Sequence, residues 1–497
     1  MNYTKDDMTT DIEASIPTAT SRVPLARYGP VIGLLVSSAF VVVLNETIMG
    51  VALPRLMVDL RITAGTAQWL TTGFLLTMAV VIPISGYLIA RFPLRKLFGT
   101  AMTLFSIGTL IAALAPGFEL LLTGRIVQAL GTAVMIPLLM TTVLTIVPAE
   151  RRGRMMGLIS VVIAVAPAIG PTVSGLILSV LDWRWMFWIV LPLAVAALIL
   201  GSMWLRNVTE NRPAKFDVLS VVFSALGFGG LIFGLSSIGE ATSGHALVAP
   251  WIPITVGAVA LALFVARQLV LQRTDSALLD LRTFRSRQFT VASILIVVVM
   301  AALFGSLILL PLYLQQVLGL DTLAVGLILL PGGLLMGLIA PIVGSLFDRV
   351  GPTPLVVPGM ILGAAGLWGM TTFDTSTSVG WIIAVHMVLN LGLGFVFTPL
   401  MTSALGSLPN ALYSYGSATM TTLQQVAGAA GTALFVTLMT VQSASSLAQG
   451  NSQVEATAHG THAAFLVGGI VATVAVVLTF FVRKPADSGS ERPITVH

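Results

Sequence analysis

Runs of about twenty apolar residues recur along this chain from near residue 29 to residue 482. A helix of that length matches the thickness of the hydrocarbon core of a lipid bilayer. Only 9% of the 497 residues are charged, against about 25% in ordinary soluble domains. Because backbone groups in hydrocarbon must bond within the protein, each run is predicted to be a helix. The chain is therefore predicted to be an all-α polytopic membrane protein.

Fourteen of these runs qualify as transmembrane spans by length and apolar content. Their predicted limits are 29–52, 68–90, 97–115, 121–146, 155–180, 185–205, 218–238, 250–270, 289–311, 322–346, 353–372, 379–404, 417–441 and 463–482. An even number of spans places both termini on the same side of the membrane.

The basic residues orient these spans. Lys and Arg concentrate in the loops on the side that holds both termini, whereas the loops of the other side contain only Arg55, Arg61 and Arg184. Because basic residues accumulate in cytoplasmic loops, both termini are predicted to be cytoplasmic. Most of the formal charge of +5 follows this topology. We therefore expect the lipid bilayer, and no nucleic acid, as the surroundings of the protein.

A short motif recurs in two equivalent loops. Residues 86–96 read GYLIARFPLRK and residues 344–352 read GSLFDRVGP, each directly after a span on the predicted cytoplasmic side. Both fit G-x-L-x-x-R, and repetition at the same point of two halves predicts duplicated helix bundles. If the motif follows the second helix of each bundle, helices 7 and 8 are an insertion between the bundles.

The repeat divides the chain into six predicted segments. They are a cytoplasmic tail at 1–28, a six-helix bundle at 29–205, a linker with the inserted helices at 206–270, a basic cytoplasmic linker at 271–288, a second six-helix bundle at 289–482 and a cytoplasmic tail at 483–497. The polar N-terminal residues lack the short apolar core of a cleaved signal peptide.

Two charged residues stand well inside predicted spans, whereas Arg267 lies near the cytoplasmic end of its span. Glu46 is the only acidic residue well inside a span, and Arg125 is the only basic residue in a span interior. A charge at the bilayer centre costs roughly 2.5–3.5 kcal/mol on insertion scales. Low dielectric favours a neutral carboxyl group, whereas a positive neighbour favours the charged form. This opposition predicts a proton switch at Glu46 whose proton affinity Arg125 adjusts.

Each of these residues has a second interpretation. Glu46 is alternatively an interfacial residue near the extracellular end of the first span, facing water. Arg125 is alternatively a structural tie to backbone carbonyls. Asn45 cannot titrate and contributes hydrogen bonds only, and Thr47 and Gln128 are further supporting polar residues.

Several stretches of the sequence match known transporter motifs. The two loops fit G-x-L-x-D-R-x-G-R-[KR] through Gly86, Arg91 and Arg95, and through Gly344, Asp348, Arg349 and Gly351. RIVQALGTA fits R-x-x-Q-G-x-G through Arg125, Gln128 and Gly131, and APAIGPTVSG fits G-x-x-x-G-P-x-x-G-G through Gly170, Pro171 and Gly175.

These motifs resemble those of the major facilitator superfamily, and within it the fourteen-span drug:proton antiporters of the QacA and EmrB type, where the last of them is the antiporter motif. The stretch VVVLNETIMGVALP (41–54) is similar to the motif of the first helix in this group, and residues 415–434 resemble helix 13 of lincomycin-resistance-type multidrug exporters.

The resemblance implies the major facilitator fold, with two six-helix bundles plus two inserted helices, and proton-coupled export of drugs. Pro171 is expected to kink helix 5, and the flanking glycines to let it pack tightly on a neighbour.

Departures from the family pattern affect what the resemblance implies. In the first loop Ala90 stands where the family has Asp and Pro93 where it has Gly, which predicts a structurally weaker copy. In the first helix Asn45 occupies the position of the family's Asp, and Glu46 follows it. The role of proton carrier therefore cannot be transferred position by position.

Drug-sized sites are mostly apolar and aromatic with a few polar groups. Candidates for the substrate cavity are Trp69, Phe74, Tyr313, Gln316, Asn390, Gln424 and Gln425, and for each aromatic residue lipid contact or helix packing is the alternative. With one carboxylate in the cavity, small lipophilic compounds that are neutral or monocationic are favoured over dications. His386 is either a second titratable group or a packing residue.

The sequence has no phosphate-binding G-x-x-x-x-G-K-[ST] loop, no metal-ligand cluster and no G-x-S-x-G nucleophile motif. We therefore expect a transporter and not an enzyme, without a cofactor, using protons as the coupling ion. The expected activity is efflux of lipophilic drugs across the bacterial cytoplasmic membrane by alternating access, by a functional monomer. Export of an endogenous metabolite or lipid, uptake by symport, and an uncoupled membrane sensor or channel remain the alternatives.

Overall fold

The computed structural model describes residues 29–62, 64–205, 217–242, 248–274 and 276–482. The predicted tails at 1–28 and 483–497 lie outside these residues. The long helices are α1 Gly29–Leu60, α2 Ala64–Arg91, α3 Leu94–Ala113, α4 Phe118–Ile146, α5 Arg152–Val180, α6 Trp185–Trp204, α7 Val218–Thr242, α8 Trp251–Leu271, α9 Arg287–Gln316, α10 Thr322–Val350, α11 Thr353–Met370, α12 Val379–Gly406, α13 Tyr413–Ala448 and α14 Gln453–Thr479.

Within the described ranges, thirteen helices are long and apolar enough to cross a membrane, and fourteen when the bent α5 counts as one span. These helices confirm the predicted all-α polytopic fold and coincide with the fourteen predicted spans. The segment boundaries and the orientation in the membrane remain predictions. Following the predicted topology, we name the end at which α1 begins and α14 ends the cytoplasmic end.

Several helices extend beyond their predicted spans, and α1, α13 and α14 extend furthest. The span predicted to end at residue 52 continues as α1 to Leu60, α13 covers Tyr413–Ala448, and α14 begins at Gln453 rather than near residue 463. Ser452 caps α14 in a reciprocal capping box with Glu455, which stabilises a helix start in a polar sequence. Apolar content marks where a helix is in hydrocarbon, and not where it ends.

The pair α5 and α10 forms the first seam between the predicted bundles. Gly153 lies against the carbonyl oxygen of Gly344, and Gly157 lies against that of Ala340, so closely that a Cβ atom on either glycine would overlap the other helix. Further along, a Cβ atom at Gly326 would still be 3.6 Å from Oγ1 of Thr172. The two helices therefore approach most closely at the cytoplasmic end.

Asp348 fastens this seam. One carboxylate oxygen accepts a hydrogen bond from the backbone N–H of Gly153 at 2.8 Å, and the other accepts from that of Arg154 at 3.0 Å. The first N–H groups of a helix lack partners within the helix and attract negative charge, so Asp348 binds the beginning of α5. Gly351 ends α10 with a φ of 78°, a conformation that favours glycine.

The second seam, between α2 and α13, lacks this device. A Cβ atom at Gly86 would lie 3.1 Å from Cβ of Ala418, so the helices are close. Ala90, however, has no carboxylate, and Leu412 at the start of α13 provides no side-chain cap. The first loop motif therefore has no carboxylate to bind the start of the facing helix, whereas the second has Asp348.

Helices α7 and α8 pack on each other, and α7 also contacts both α2 and α13. At their cytoplasmic end Arg267 bonds both carboxylate oxygens of Asp217 at 2.6 Å. The Arg267 guanidinium holds the pKa of Asp217 well below its usual range. Oε1 of Gln268 accepts hydrogen bonds from the backbone N–H of Leu278 and of Leu279. The linker after α8 is thus fixed to the helix pair.

The helical stretch Ala149–Pro167 meets Thr172–Val180 at an angle of 42°, so the chain bends within α5 at a break that includes Pro171. Beside the bend, a Cβ atom at Gly170 would overlap Oγ1 of Thr47, so α5 touches α1 closely there. Gly175 differs from the expectation of tight packing, since no atom lies within 4 Å of the position its Cβ would take. Only the first of these two glycines is required by contact in this conformation.

Adding a methyl group distinguishes the two glycines. Gly170→Ala should lower the thermal unfolding midpoint of the purified protein, because overpacking a filled helix contact costs about 1–3 kcal/mol. Gly175→Ala is the matched control and should leave the midpoint unchanged or raise it, since alanine is the better helix former. Equal destabilisation by both changes would contradict the assignment of the contact to Gly170.

Removing the charge of Asp348 should loosen the cytoplasmic end of the first seam. The chain has no cysteine, so Ser160→Cys supplies a single thiol at a buried position of α5, where Thr398 of α12 donates to it from the second predicted bundle. In that background Asp348→Asn should raise the rate of maleimide labelling about fivefold, for a loss of about 1 kcal/mol of charge-assisted bonding. Asp321→Asn, which removes the carboxylate that caps α10 at its other end, should leave the rate unchanged.

Candidate functional site

Arg125 occupies the centre of the site, where α1, α2 and α4 meet. Its side chain is fully buried, and its Nη1 donates to Oδ1 of Asn45 on α1 at 3.1 Å and to Oε1 of Gln128 one turn along α4 at 3.1 Å. Nε reaches the backbone carbonyl of Leu70 on α2 at 3.5 Å. The arginine is therefore bound by two side chains and, more weakly, by one backbone carbonyl.

An aromatic ring completes this environment. The guanidinium carbon lies 4.0 Å from the centre of the ring of Phe74, which is itself buried. A cation over an aromatic face is stabilised by the ring quadrupole, and more strongly when both are desolvated. Phe74, predicted as a candidate for the substrate cavity, contacts Arg125 in this structure.

Gln128 connects the arginine to α3. Its Nε2 donates to Oγ1 of Thr109 at 2.8 Å, and that hydroxyl donates to the carbonyl of Phe105 at 2.7 Å. Gly131 makes the approach possible, since a Cβ atom there would overlap the carbonyl oxygen of Ala101. Thr109 was not among the predicted site residues, although a polar side chain inside the apolar span of α3 could have indicated it.

Glu46 lies in the middle of α1, beside Asn45, and its side chain is half-buried. The positive charge of Arg125 acts on its carboxyl group. Among the described residues, however, no hydrogen bond or ion pair within 4.0 Å joins the two side chains. Arg125 reaches α1 through Asn45, so the two predicted partners are neighbours without direct contact.

Thr47 donates hydrogen bonds to backbone carbonyl groups of α1 and α5. Its hydroxyl lies 3.0 Å from the carbonyl of Leu44 and 3.3 Å from that of Ala166 on α5. Because Gly170 also contacts Thr47, the antiporter-like motif of α5 is placed directly against the motif of α1. The bend in α5 is therefore mechanically connected to the helix that carries Glu46.

The other cavity candidates do not form one cluster. Tyr313 is buried, stacks on Phe373 and donates to the backbone carbonyl of Asp374 at 2.5 Å, which is a packing arrangement. Trp69 lies against Phe233 of α7 with ring centres 5.8 Å apart. Gln316 is exposed at the end of α9.

Three candidates remain in the interior of the second predicted bundle. Nδ2 of Asn390 lies 3.0 Å from Nε2 of His386. Gln424 and Gln425 point their amides at the sulfur atoms of Met401 and Met78, the latter across the seam between α2 and α13. These amide and imidazole groups contrast with the guanidinium of Arg125 and the carboxyl group of Glu46 in the first bundle.

The loop residues are positioned separately from the site. Gly86, Gly344, Asp348 and Gly351 take the structural roles described for the two seams. The side chains of Arg91, Arg95 and Arg349 are exposed at the cytoplasmic end.

Comparison with known proteins gives a consistent result. A family model described as Major Facilitator Superfamily matches residues 35–432. A lincomycin resistance protein, LmrB, of Listeria monocytogenes is 44% identical over 460 residues, which are 92% of this chain and 97% of that protein. A multidrug resistance protein B homolog of Mycobacterium tuberculosis is 32% identical over 416 residues, 82% of this chain and 76% of that protein.

Among solved structures, the human organic anion transporter MFSD10 superposes with a TM-score of 0.63 over 92% of this chain and 100% of that one. At 13% identity, this likeness concerns the fold alone. The family model spans most of the chain, and the bacterial relatives match most of it. The chain belongs to the major facilitator superfamily, a family of membrane transporters and not of enzymes.

Proposed function

We propose that this protein exports lipophilic drugs, including antibiotics, from the bacterial cytoplasm in exchange for protons. The observation that carries the proposal is the buried Arg125, fixed to α1 through Asn45 at the residue preceding Glu46. An intramembrane carboxyl group beside a desolvated cation is poised between its charged and neutral forms. The names of the bacterial relatives, which refer to lincomycin and multidrug resistance, support drugs as the cargo.

In this mechanism Glu46 takes up a proton when it faces outward and releases it when it faces the cytoplasm. Proton and substrate binding oppose each other, so one ligand leaves as the other enters. One charge crossing 100 mV gains about 2.3 kcal/mol, and each pH unit adds roughly 1.4 kcal/mol. These quantities are large enough to sustain a substantial gradient of substrate.

Alternating access would occur by separation of the two predicted bundles at one end at a time. The seams support this, because the α5–α10 contact is tightest where Asp348 binds the start of α5. A few discrete hydrogen bonds can be broken and remade, unlike a fully interdigitated core. The monomer contains both bundles, and we propose that it is the functional unit, in the bacterial cytoplasmic membrane.

The substrates should be neutral or monocationic. Glu46 is the only acidic residue well inside a predicted span, so a dication within the helix bundle would find no second carboxylate there. We propose lipophilic compounds with few hydrogen-bonding groups, without a bound cofactor or metal.

The first test replaces the carboxyl group of Glu46. In proteoliposomes, addition of a transported antibiotic or dye should move protons through the native protein, whereas Glu46→Gln should bind the same compound and move none, because an amide cannot titrate. Glu119→Gln, the same change at an exposed position at the start of α4, is the control and should couple normally. Normal coupling by Glu46→Gln would reject Glu46 as the carrier. If no compound of a drug panel causes the native protein to exchange protons, an endogenous metabolite or lipid would instead be favoured as the cargo.

A second test concerns the geometry of the arginine. Arg125→Lys keeps the positive charge, but a lysine cannot bond Asn45, Gln128 and Leu70 together with a planar fork. We expect at least a tenfold loss of transport and a lower unfolding midpoint, because buried partners lose bonds worth about 1–3 kcal/mol each.

The control for this change is Arg184→Lys, at a partly exposed arginine that bonds the carbonyl of Ala115 at a helix end. It should have little effect on either measurement. Full activity of Arg125→Lys would show that charge alone suffices.

A further inference from the structure

The linker that follows α8 is buried over a short stretch that belongs to no helix. Ala277, Leu278 and Leu279 are only 3%, 1% and 4% exposed. Connecting segments normally run over the surface of a protein, because a buried segment must find partners for its backbone N–H and C=O groups. Burial of this stretch therefore requires a specific anchor.

Gln268 of α8 provides that anchor. Its side chain is fully buried, and its Oε1 accepts hydrogen bonds from the backbone N–H of Leu278 at 2.8 Å and from that of Leu279 at 3.2 Å. Because a backbone N–H can only donate, the atom that faces the linker is the amide oxygen. Nε2 of the same amide donates to Oγ of Ser220 on α7 at 2.7 Å. One side chain thus joins the linker to both helices of the α7–α8 hairpin.

A charged pair continues this network. Oγ of Ser220 donates to the carboxylate of Asp217, which also accepts from Nε and Nη2 of Arg267 on α8. A bidentate arginine–carboxylate pair is among the stronger and geometrically more specific hydrogen-bonded contacts in proteins. The two helices and the linker are therefore held together as one unit at the cytoplasmic end.

The buried leucines of the linker lie at the second seam. Leu278 and Leu279 belong to one apolar cluster with side chains of α2, α7, α8 and α13, namely Ala79, Tyr87, Phe228, Ile232, Phe264 and Ala418. Ala418 is also the residue that Gly86 approaches where α2 meets α13. The linker therefore adds apolar contact at the seam whose loop motif has no carboxylate.

We propose that Leu278 and Leu279 form an apolar strap that closes the cytoplasmic end of the second seam, and that Gln268 is the positioning residue that holds this strap in place. The first seam is closed at the same end by Asp348, so the two seams use different interactions for one purpose. The inserted helices then have a mechanical role, which is to carry the anchor of the strap. This inference rests on the alternating access of the proposed function.

The far end of the linker is fixed to the second predicted bundle. Oγ of Ser286, which caps α9, lies 2.8 Å from Oγ of Ser407 at the end of α12. The strap should therefore follow the second bundle when the cytoplasmic end opens. The contact that breaks is then the one between the leucines and α2, where Tyr87 belongs to their cluster.

Double electron–electron resonance across the second seam tests the strap without transport. Because the chain has no cysteine, Phe92→Cys and Ala411→Cys place two spin labels at exposed positions, one just after α2 and one just before α13. In this background Gln268→Leu removes the anchor and leaves the buried N–H groups of the linker without a partner. We expect the ratio of long to short distances between the labels to rise about tenfold.

Gln272→Leu is the matched control, since it makes the same change one turn further, at a residue whose Oε1 bonds no atom of the described chain. It should leave the ratio unchanged. Leu278→Ala shortens the strap but keeps the anchor and should also raise the ratio, whereas Leu269→Ala, at an exposed position of α8, should not. An unchanged distribution of distances in folded Gln268→Leu, or in folded Leu278→Ala where the first variant does not fold, overturns the inference.

Transport measurements on the same variants separate the two proposals. If Gln268→Leu opens the seam but the native protein exchanges no compound for protons, the inference stands and the proposed function fails. If the native protein exports a drug while Gln268→Leu and Leu278→Ala keep the native distribution of distances, the proposed function stands and the inference fails.

Discussion

A buried guanidinium group at the junction of α1, α2 and α4 determines how the first predicted bundle is arranged. Hydrocarbon offers no hydrogen bonds, so the side chain of Arg125 must be satisfied by protein atoms. Asn45, Gln128 and the carbonyl of Leu70 come from three helices. Because these partners fix the rotation of each helix about its axis, the buried charge also sets the packing around it.

Glycine residues allow the close helix contacts on which the packing also depends. Helices in a membrane gain no hydrophobic stabilisation from contact with each other, so close backbone approach matters more than side-chain burial. Gly131 lets α4 touch α3, Gly170 lets α5 touch α1, and Gly344 lets α10 touch α5. Each of these glycines lies in a motif recognised in the sequence. The motifs therefore describe contact surfaces as well as chemistry.

The sequence was sufficient to predict the number of helices, because apolar runs in a chain this long are unambiguous. It also identified Glu46 and Arg125, since charges in apolar runs are rare. It could not show that Arg125 bonds Asn45 and not Glu46, because neighbouring residues on a helix differ by about 100° in direction and the choice depends on packing. The open space at Gly175 was likewise hidden, since a motif does not specify which of its glycines is in contact in a given conformation.

Because α7 packs against both α2 and α13, only one of the two contacts between the predicted bundles is covered from the lipid by inserted helices in the described ranges. On one side the α7–α8 hairpin covers the seam between the predicted bundles. On the other, the large side chains of Leu338 and Ile342 on α10 are exposed next to α5, and no inserted helix shields them within the described chain. A lipophilic molecule diffusing in the bilayer thus meets the α7–α8 hairpin on one side of the protein and the exposed α5–α10 contact on the other. The two lipid-facing sides of the protein therefore differ in how closely such a molecule can approach the contact between the bundles.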